Sequence, residues 1–306
     1  MALRYTGQAA LLLVPIASYI FLWIPIVVLI AFSFNDSRSV ATWHGFTTRW
    51  YDNIITNAVG SDARFSTDQM LQSLTNSMRI AVPATIIATI IGTLTAISLV
   101  RSNFIGKRWL QGLLYLTVAI PEIAFGISLL MFFNRSFTYL NEQLGGHLTL
   151  TFGFTTMIIA HVTFSISYVA IVVSARLANM SKNWEEAAQD LGANNWRTFW
   201  RVTFPLALPG IVAGALLVFT MSLDDYVISF FTSGIGTTTL TMYVYGLLKL
   251  TITPEINAMS TLMIVASALL VSLSLFLQRP DSGWSRIKLG KSLRRLRSVV
   301  RFLFPA

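Results

Sequence analysis

The chain has 306 residues, of which 54% are hydrophobic and 11% are charged, and its formal net charge is +9. A water-soluble domain has about 25% charged residues, so this composition excludes an ordinary soluble fold and predicts a protein surrounded by lipid. The absence of cysteine excludes disulfide bonds, thiolate metal sites and cysteine nucleophiles.

Six apolar segments are each long enough to cross a bilayer as a helix, which needs about 20 residues. They comprise residues 9–34, 80–100, 109–133, 152–174, 206–231 and 256–277. Arg4 precedes the first segment, which lacks a cleavage site of small residues, so we expect an uncleaved signal anchor. Prolines such as Pro121 and Pro209 predict kinks rather than breaks. The sequence therefore predicts an all-α polytopic membrane protein with one transmembrane domain over residues 1–280.

Lysine and arginine are unevenly distributed among the predicted loops. Arg101, Lys107 and Arg108 crowd the second loop and the fourth loop is also basic, whereas the third and fifth loops hold only Arg135 and Lys249. Since short cytoplasmic loops carry the excess of positive charge, we expect both chain termini in the cytoplasm. Two interpretations of the basic tail at 281–306 stay open, because it could lie along the anionic inner leaflet or be solvated.

The fourth loop, residues 176–205, has the pattern of two short helices. Asn183 and Glu186 have the spacing of a capping box, in which each side chain bonds a backbone amide near the other. Gly192 predicts a left-handed end to the first helix, and we expect the second to run from about Asn195 to Pro205. By amphipathicity alone, such helices form either a docking surface for a protein or a pair lying on the membrane.

Within this loop, one segment resembles the EAA signature of ABC importer permeases. Glu186-Ala187-Ala188 is followed after three residues by Gly192, and nine residues further by Val-Thr-Phe-Pro at 202–205. The family's usual ending has Ile and Leu where this chain has Val and Phe, which are conservative departures. The resemblance implies the type I ABC importer permease fold, in which this loop forms the coupling helix that sits in a cleft of the ATPase subunit. We assign the coupling role to Glu185, Glu186, Ala187, Ala188, Gly192 and Pro205.

No sequence motif for ATP or metal chemistry is recognisable. The nearest match to a phosphate-binding loop ends at Gly290-Lys291-Ser292 but has Ser285 where the first glycine belongs. We therefore expect no cofactor on this chain and no enzymatic activity, with ATP and Mg bound by separate ATPase subunits. The three histidines, at positions 44, 147 and 161, are too far apart for a recognised metal motif, and we assign them no chemistry.

Carboxylates within or beside the predicted spans indicate a substrate pathway, because an ionisable group is costly inside a bilayer. Asp224 and Asp225 lie in the outer part of the fifth span, Glu122 lies in the third, and Glu255 stands at the mouth of the sixth. No Lys or Arg within a span is positioned to neutralise them, which leaves another subunit, a proton or a cationic substrate as the partner. The structural alternative is that one aspartate caps a broken helix or bonds a neighbouring helix.

A protonated polyamine fits this pattern, because its ammonium groups suit carboxylates interleaved with aromatic rings such as Phe219 and Tyr226. The segment Ser222-Leu223-Asp224-Asp225-Tyr226 resembles the polyamine branch of these permeases, as do the segments 121–130 and 253–258. The resemblance covers most of the chain up to about Arg279. It does not distinguish putrescine from spermidine.

This resemblance also implies partners and a location. They are a second permease subunit, most simply a different one in a heterodimer, two ATPase subunits, a periplasmic polyamine-binding protein and the lipid of the bacterial inner membrane. Nucleic acid is not expected among them. Three alternatives stay open: an ABC permease for an anion or sugar, a proton-coupled secondary transporter and, least favoured, an integral membrane enzyme.

Overall fold

The computed structural model describes residues 2–37, 42–56, 67–143, 150–250 and 254–278. The predicted basic tail and the side chain of Glu255 lie outside the described residues. The described helices are α1 (Ala2–Phe32), α2 (Arg49–Thr56), α3 (Thr67–Arg101), α4 (Lys107–Ala119), α5 (Glu122–Gln143), α6 (Phe154–Ala178), α7 (Asn183–Asp190), α8 (Asn195–Thr198), α9 (Phe204–Asp224), α10 (Val227–Thr232), α11 (Leu240–Leu250) and α12 (Pro254–Gln278). A π-helical turn, Phe199–Thr203, joins α8 to α9.

Six helical stretches in the described ranges are long and apolar enough to cross a membrane. They are Leu13–Phe32, Asp68–Arg101, Glu122–Gln143, Phe154–Ala178, Asn195–Asp224 and Ile256–Leu277. The predicted all-α class with six spans is therefore confirmed. Helices α3 and α9 run through Pro83 and Pro209 without interruption, as expected where neighbouring helices satisfy the freed carbonyl groups.

The third predicted segment, 109–133, is not one helix. Helix α4 ends at Ala119, Ile120 is extended with φ −70° and ψ 131°, and α5 begins at Glu122. Pro121 explains this, because its ring disfavours the helical conformation of the preceding residue and it has no amide hydrogen. The prediction that Pro121 only kinks the helix was wrong.

The fifth predicted segment, 206–231, is also interrupted. Helix α9 ends at Asp224, Asp225 is extended with φ −66° and ψ 129°, and α10 begins at Val227. The Asp225 carboxylate accepts hydrogen bonds from the amides of Ile228 and Ser229, at 3.2 and 2.7 Å. An aspartate in this position satisfies the free amides of a new helix, so its side chain favours the break over a continuous span.

Helices α3, α6 and α9 form the centre of the bundle. Their shared core contains Ala88, Ala96, Val169, Val173, Leu177, Ala207, Ile211 and Val218. A Cβ added to Gly92 would lie 2.7 Å from the Val169 Cβ and 2.9 Å from the Ile166 carbonyl oxygen. Small residues therefore let the backbones of α3 and α6 approach closely, as is common between membrane helices. Helix α12 is tied to α9 by a 2.8 Å hydrogen bond from the Ser274 hydroxyl to the Ala213 carbonyl oxygen.

Candidate functional site

The two helix breaks lie beside the same internal space. Helices α5 and α10 pack so closely that a Cβ on Gly126 would lie 2.6 Å from the Phe231 ring. The break before α5 presents Glu122 and the break before α10 presents Asp224 and Asp225 to one cavity. Interrupted helices inside a membrane bundle expose helix ends and polar groups that can contact a substrate.

Asp224 lies at mid-height in the bundle. Its two carboxylate oxygens accept hydrogen bonds of 2.9 and 2.8 Å from the hydroxyl of Ser267, which lies near the middle of α12. Helix α12 has 25 residues, enough to cross the hydrocarbon core. Asp224 therefore lies deeper in the bundle than the sequence had suggested, which placed it in the outer part of the fifth span.

Two cavities meet at Asp224 and Tyr226, which line both. The first has a volume of about 460 Å³ and the second about 600 Å³. The first is lined by polar groups that include Glu122, His161, Ser222 and Asp225. The second is lined mainly by α11 and α12, with Tyr245 and Ser267 among its residues. Each volume is in the range of sites that hold small molecules.

The carboxylates of Glu122 and Asp224 lack a basic partner within the part of the chain that the structure describes. Its ion pairs join Arg49 to Asp36 and Arg101 to Glu185, and the imidazole of His161 lies beside Asp225. Both Glu122 and Asp224 are exposed in the single chain. A negative charge in a membrane cavity is favourable only with a cation, a proton or donors from another molecule, so these two groups leave room for a positively charged ligand.

Asp225 has a different environment from Asp224. Its side chain is only 10% exposed, and Oδ2 lies 3.5 Å from Nε2 of His161. Both of its oxygens already accept amide hydrogens of α10. Its backbone carbonyl oxygen also accepts a 2.7 Å hydrogen bond from the Thr241 hydroxyl, which ties the break to α11. Asp225 therefore borders the cavity, but its contacts are those of a helix cap, which was the structural alternative to a role in binding substrate.

His161 is the residue of this region that sequence reasoning missed. It is buried in α6, with Nδ1 2.7 Å from the Ser222 hydroxyl and Nε2 3.1 Å from the Ser229 hydroxyl. Ser222 belongs to α9 and Ser229 to α10, so one imidazole contacts both sides of the second break. Two serines flanking an aspartate pair in an apolar span were the available signal, but nothing in the sequence linked them to His161.

Aromatic rings form one wall beside Asp224. The ring centroid of Tyr226 lies 4.3 Å from that of Tyr245 and 5.6 Å from that of Phe230. The ammonium of Lys249 lies 4.9 Å from the Tyr245 centroid, so this wall already accommodates one ammonium group at its edge. Phe219, the other aromatic residue that we singled out, is half-buried on α9 and is not among the residues that line the two cavities.

The predicted coupling segment lies at the opposite end of α9. Helix α7 begins at Asn183 and Gly192 has φ +85°, as expected. The capping box does not form, because Lys182 occupies the N-cap and the hydroxyl of Ser181 accepts the Asn183 amide hydrogen at 3.3 Å. Serine at this position provides an acceptor without the Asn183 side chain.

The second short helix, α8, begins at Asn195 and continues through the π-helical turn into α9. We had predicted that Pro205 ends this helix, and that prediction was wrong. Pro205 lies in the first turn of α9, where a missing amide hydrogen is tolerated. Glu186, Ala187, Gly192 and Pro205 are exposed and Ala188 is half-buried. Glu185 instead turns inward to Arg101.

Comparison with known proteins agrees with this architecture. Residues 88–279 match the family described as binding-protein-dependent transport system inner membrane component. The chain is 38% identical over 264 residues to the spermidine/putrescine transport system permease protein PotC of Haemophilus influenzae, covering 86% of this chain and 94% of that protein. It is 38% identical over 249 residues to the putrescine transport system permease protein PotI of Escherichia coli K12, covering 81% of this chain and 83% of that one.

Two solved structures share the fold. A bacterial ABC transporter involved in the import of the acidic polysaccharide alginate matches with a TM-score of 0.59 and 16% identity, covering 88% of this chain and 95% of that chain. The bacterial alginate ABC transporter in complex with an alginate pentasaccharide-bound periplasmic protein matches with a TM-score of 0.61 and 18% identity, covering 89% and 92%. Together with the family match, they identify this chain as a member of the binding-protein-dependent transport system inner membrane component family, with the fold of an ABC importer permease.

Proposed function

We propose that the chain is a permease subunit of an ATP-driven importer for polyamines and that it forms half of the translocation pathway. The observation that carries this proposal is the cavity at the two helix breaks, where Glu122 and Asp224 have no basic partner among the described residues. The names of the relatives PotC and PotI, which cover most of the chain, support the same substrate class.

The chemistry of a polyamine matches this cavity. Putrescine and spermidine carry ammonium groups separated by methylene chains. The ammonium groups require carboxylates or aromatic faces, and Asp224 and Tyr226 provide one of each side by side. The methylenes require an apolar lining, which residues such as Leu217 and Val271 provide in the first cavity. An anionic or uncharged solute would leave the two carboxylates without compensation.

The coupling segment supports an ATP-driven mechanism with separate ATPase subunits. Glu186 and Ala187 project from α7 without internal packing, and small side chains there allow a partner surface to approach closely. In this mechanism a binding protein delivers the polyamine from the periplasm, and this chain pairs with a second, similar permease subunit in the inner membrane, with both termini in the cytoplasm. Closure of two ATPase subunits, which bind ATP and Mg, then changes the side on which the cavity opens.

Uptake by the assembled complex tests this proposal. The complete transporter is reconstituted in liposomes with its binding protein, and uptake of labelled putrescine and spermidine is measured with ATP, without ATP and with a protonophore. We expect uptake of at least one amine that requires ATP and persists with the protonophore. Uptake that follows the proton gradient without ATP would instead favour a secondary transporter. If neither amine enters, the polyamine assignment is wrong.

A further inference from the structure

Three segments at the end of the bundle that carries α7 converge on one carboxylate oxygen. Arg101 is the last residue of α3, and its Nε lies 3.0 Å from Oε1 of Glu185 on α7. The Thr203 hydroxyl, in the π-helical turn before α9, donates a hydrogen bond of 2.8 Å to the same oxygen. The side chains of Arg101 and Glu185 are only 12% and 17% exposed. A pair shielded to this extent is screened less than a surface ion pair and holds its partners more firmly.

This pair links α7 directly to α3. None of the residues of α7 is buried, so the helix is not held by an apolar face. Helix α3, by contrast, packs along α6 and α9 through the core that contains Ala88 and Ala96. A displacement of α7 therefore reaches α3 through the Glu185 carboxylate, and it reaches α9 through the π-helical turn against which α7 also lies.

The guanidinium group of Arg101 bonds Glu185 through Nε alone in this arrangement. The Nη2 atom of Arg101 is buried and has no hydrogen-bond partner among the described residues. Both hydrogen bonds that Glu185 accepts from described residues use Oε1. Since guanidinium and carboxylate groups pair best through two parallel hydrogen bonds, a small shift of α7 that brings the second oxygen to Nη2 would strengthen the pair. The geometry therefore allows two arrangements of the same joint.

We propose that the Arg101–Glu185 pair is the joint through which α7 moves α3, with Thr203 linking the same carboxylate to α9. Arg101 is then a positioning residue for coupling, and it acts beside the start of α9. Helix α9 has 21 residues and is about 30 Å long, and Asp224 is its last residue. This inference rests on the proposed function, because it assigns the path by which closure of the ATPase subunits reaches the cavity.

The absence of cysteine from this chain makes a direct test possible. Leu94 on α3 and Leu269 on α12 are both exposed and accept spin labels after substitution by cysteine. In the assembled complex, with partner subunits free of cysteine, the distance between the labels is measured with and without a non-hydrolysable ATP analogue. The variants are Arg101→Ala, Glu185→Gln and, as the matched control, Arg108→Ala, since Arg108 is an exposed arginine on the neighbouring α4.

We expect the nucleotide-dependent change in distance to be lost in Arg101→Ala and Glu185→Gln and kept in Arg108→Ala, while the ATPase subunits still co-purify. The number of polyamines taken up per ATP hydrolysed should fall about fivefold or more in the first two variants. Glu185→Gln keeps the shape of the side chain and an acceptor for Thr203, so it tests the charge if Arg101→Ala does not fold. If the distance still changes by the same amount in both variants, the proposal that this pair transmits motion from α7 to α3 is wrong. If the unchanged complex moves no polyamine, the proposed function fails, but the distance still tests the joint.

Discussion

His161 in α6 and Ser222 in α9 are joined by a 2.7 Å hydrogen bond inside the bundle. The other ring nitrogen of the same imidazole lies 3.1 Å from the hydroxyl of Ser229 in α10. The histidine therefore holds the two helices on either side of the break at Asp225, and with them the position of Asp224. This contact makes α6 part of the wall of the first cavity, although α6 itself has no break in its described residues.

Replacing His161 should weaken the attachment of α9 and α10 to α6 at the helix break. His161→Ala removes partners from two buried hydroxyl groups, which costs about 1–3 kcal/mol in the free energy of unfolding. We expect a lower midpoint of thermal unfolding of the purified complex and reduced uptake, whereas His44→Ala, at an exposed position, changes neither. Equal midpoints for the two variants would mean that the imidazole does not hold the break.

The cap at Asp225 predicts an order among substitutions. Asp225→Ala removes both acceptors of the α10 amides and should destabilise the chain by about 1 kcal/mol, as for other helix caps. Asp225→Asn keeps one acceptor oxygen and should be less destabilising. The measurement is thermal unfolding of both variants in detergent. The assignment of Asp225 as a cap fails if Asn destabilises as much as Ala.

The close approach of α3 and α6 predicts a steric effect at Gly92. A Cβ at this position would meet the Val169 side chain and the Ile166 carbonyl oxygen at less than 3.0 Å, and the backbone cannot easily withdraw. Gly92→Ala should therefore destabilise the chain by about 1–3 kcal/mol, as overpacking does. Gly112→Ala is the matched control, because Gly112 is also helical and has nothing within 4 Å of its Cβ position. Similar unfolding midpoints for both variants would contradict this packing.

The exposed face of α7 predicts a defect in assembly. Glu186 is exposed and its side chain forms no hydrogen bond or ion pair with another described residue, so Glu186→Lys should leave the fold intact. If α7 docks on an ATPase subunit, the reversed charge should reduce the amount of ATPase that co-purifies. Glu142→Lys on α5 is the control, since Glu142 is an exposed carboxylate on a different helix. Full recovery of the ATPase with Glu186→Lys would argue against this docking surface.

The sequence was sufficient to predict the number of membrane spans, because six apolar segments of adequate length allow few other structures. It also predicted the two short helices between α6 and α9, and the coupling role that the spacing from Glu186 to Gly192 implies stays a prediction. The breaks at Pro121 and Asp225 were less accessible, since the same residues occur in kinked helices and only tertiary packing decides. The contacts of His161 join residues 61 and 68 positions apart, and that of Arg101 with Glu185 joins residues 84 apart. Separations of this size cannot be read from local patterns.

Asp224 is proposed to provide the negative charge for a polyamine in the cavity, and a comparison of uptake by two variants tests this role. Asp224→Asn removes the charge and keeps an acceptor for the Ser267 hydroxyl, while Ser267→Ala removes the hydroxyl and keeps the charge. In the reconstituted complex we expect Asp224→Asn to lower ATP-dependent uptake of putrescine and spermidine at limiting concentration by about tenfold or more, and Ser267→Ala to retain most of it. Uptake by Asp224→Asn equal to that of the unchanged chain would show that polyamine uptake does not depend on this charge.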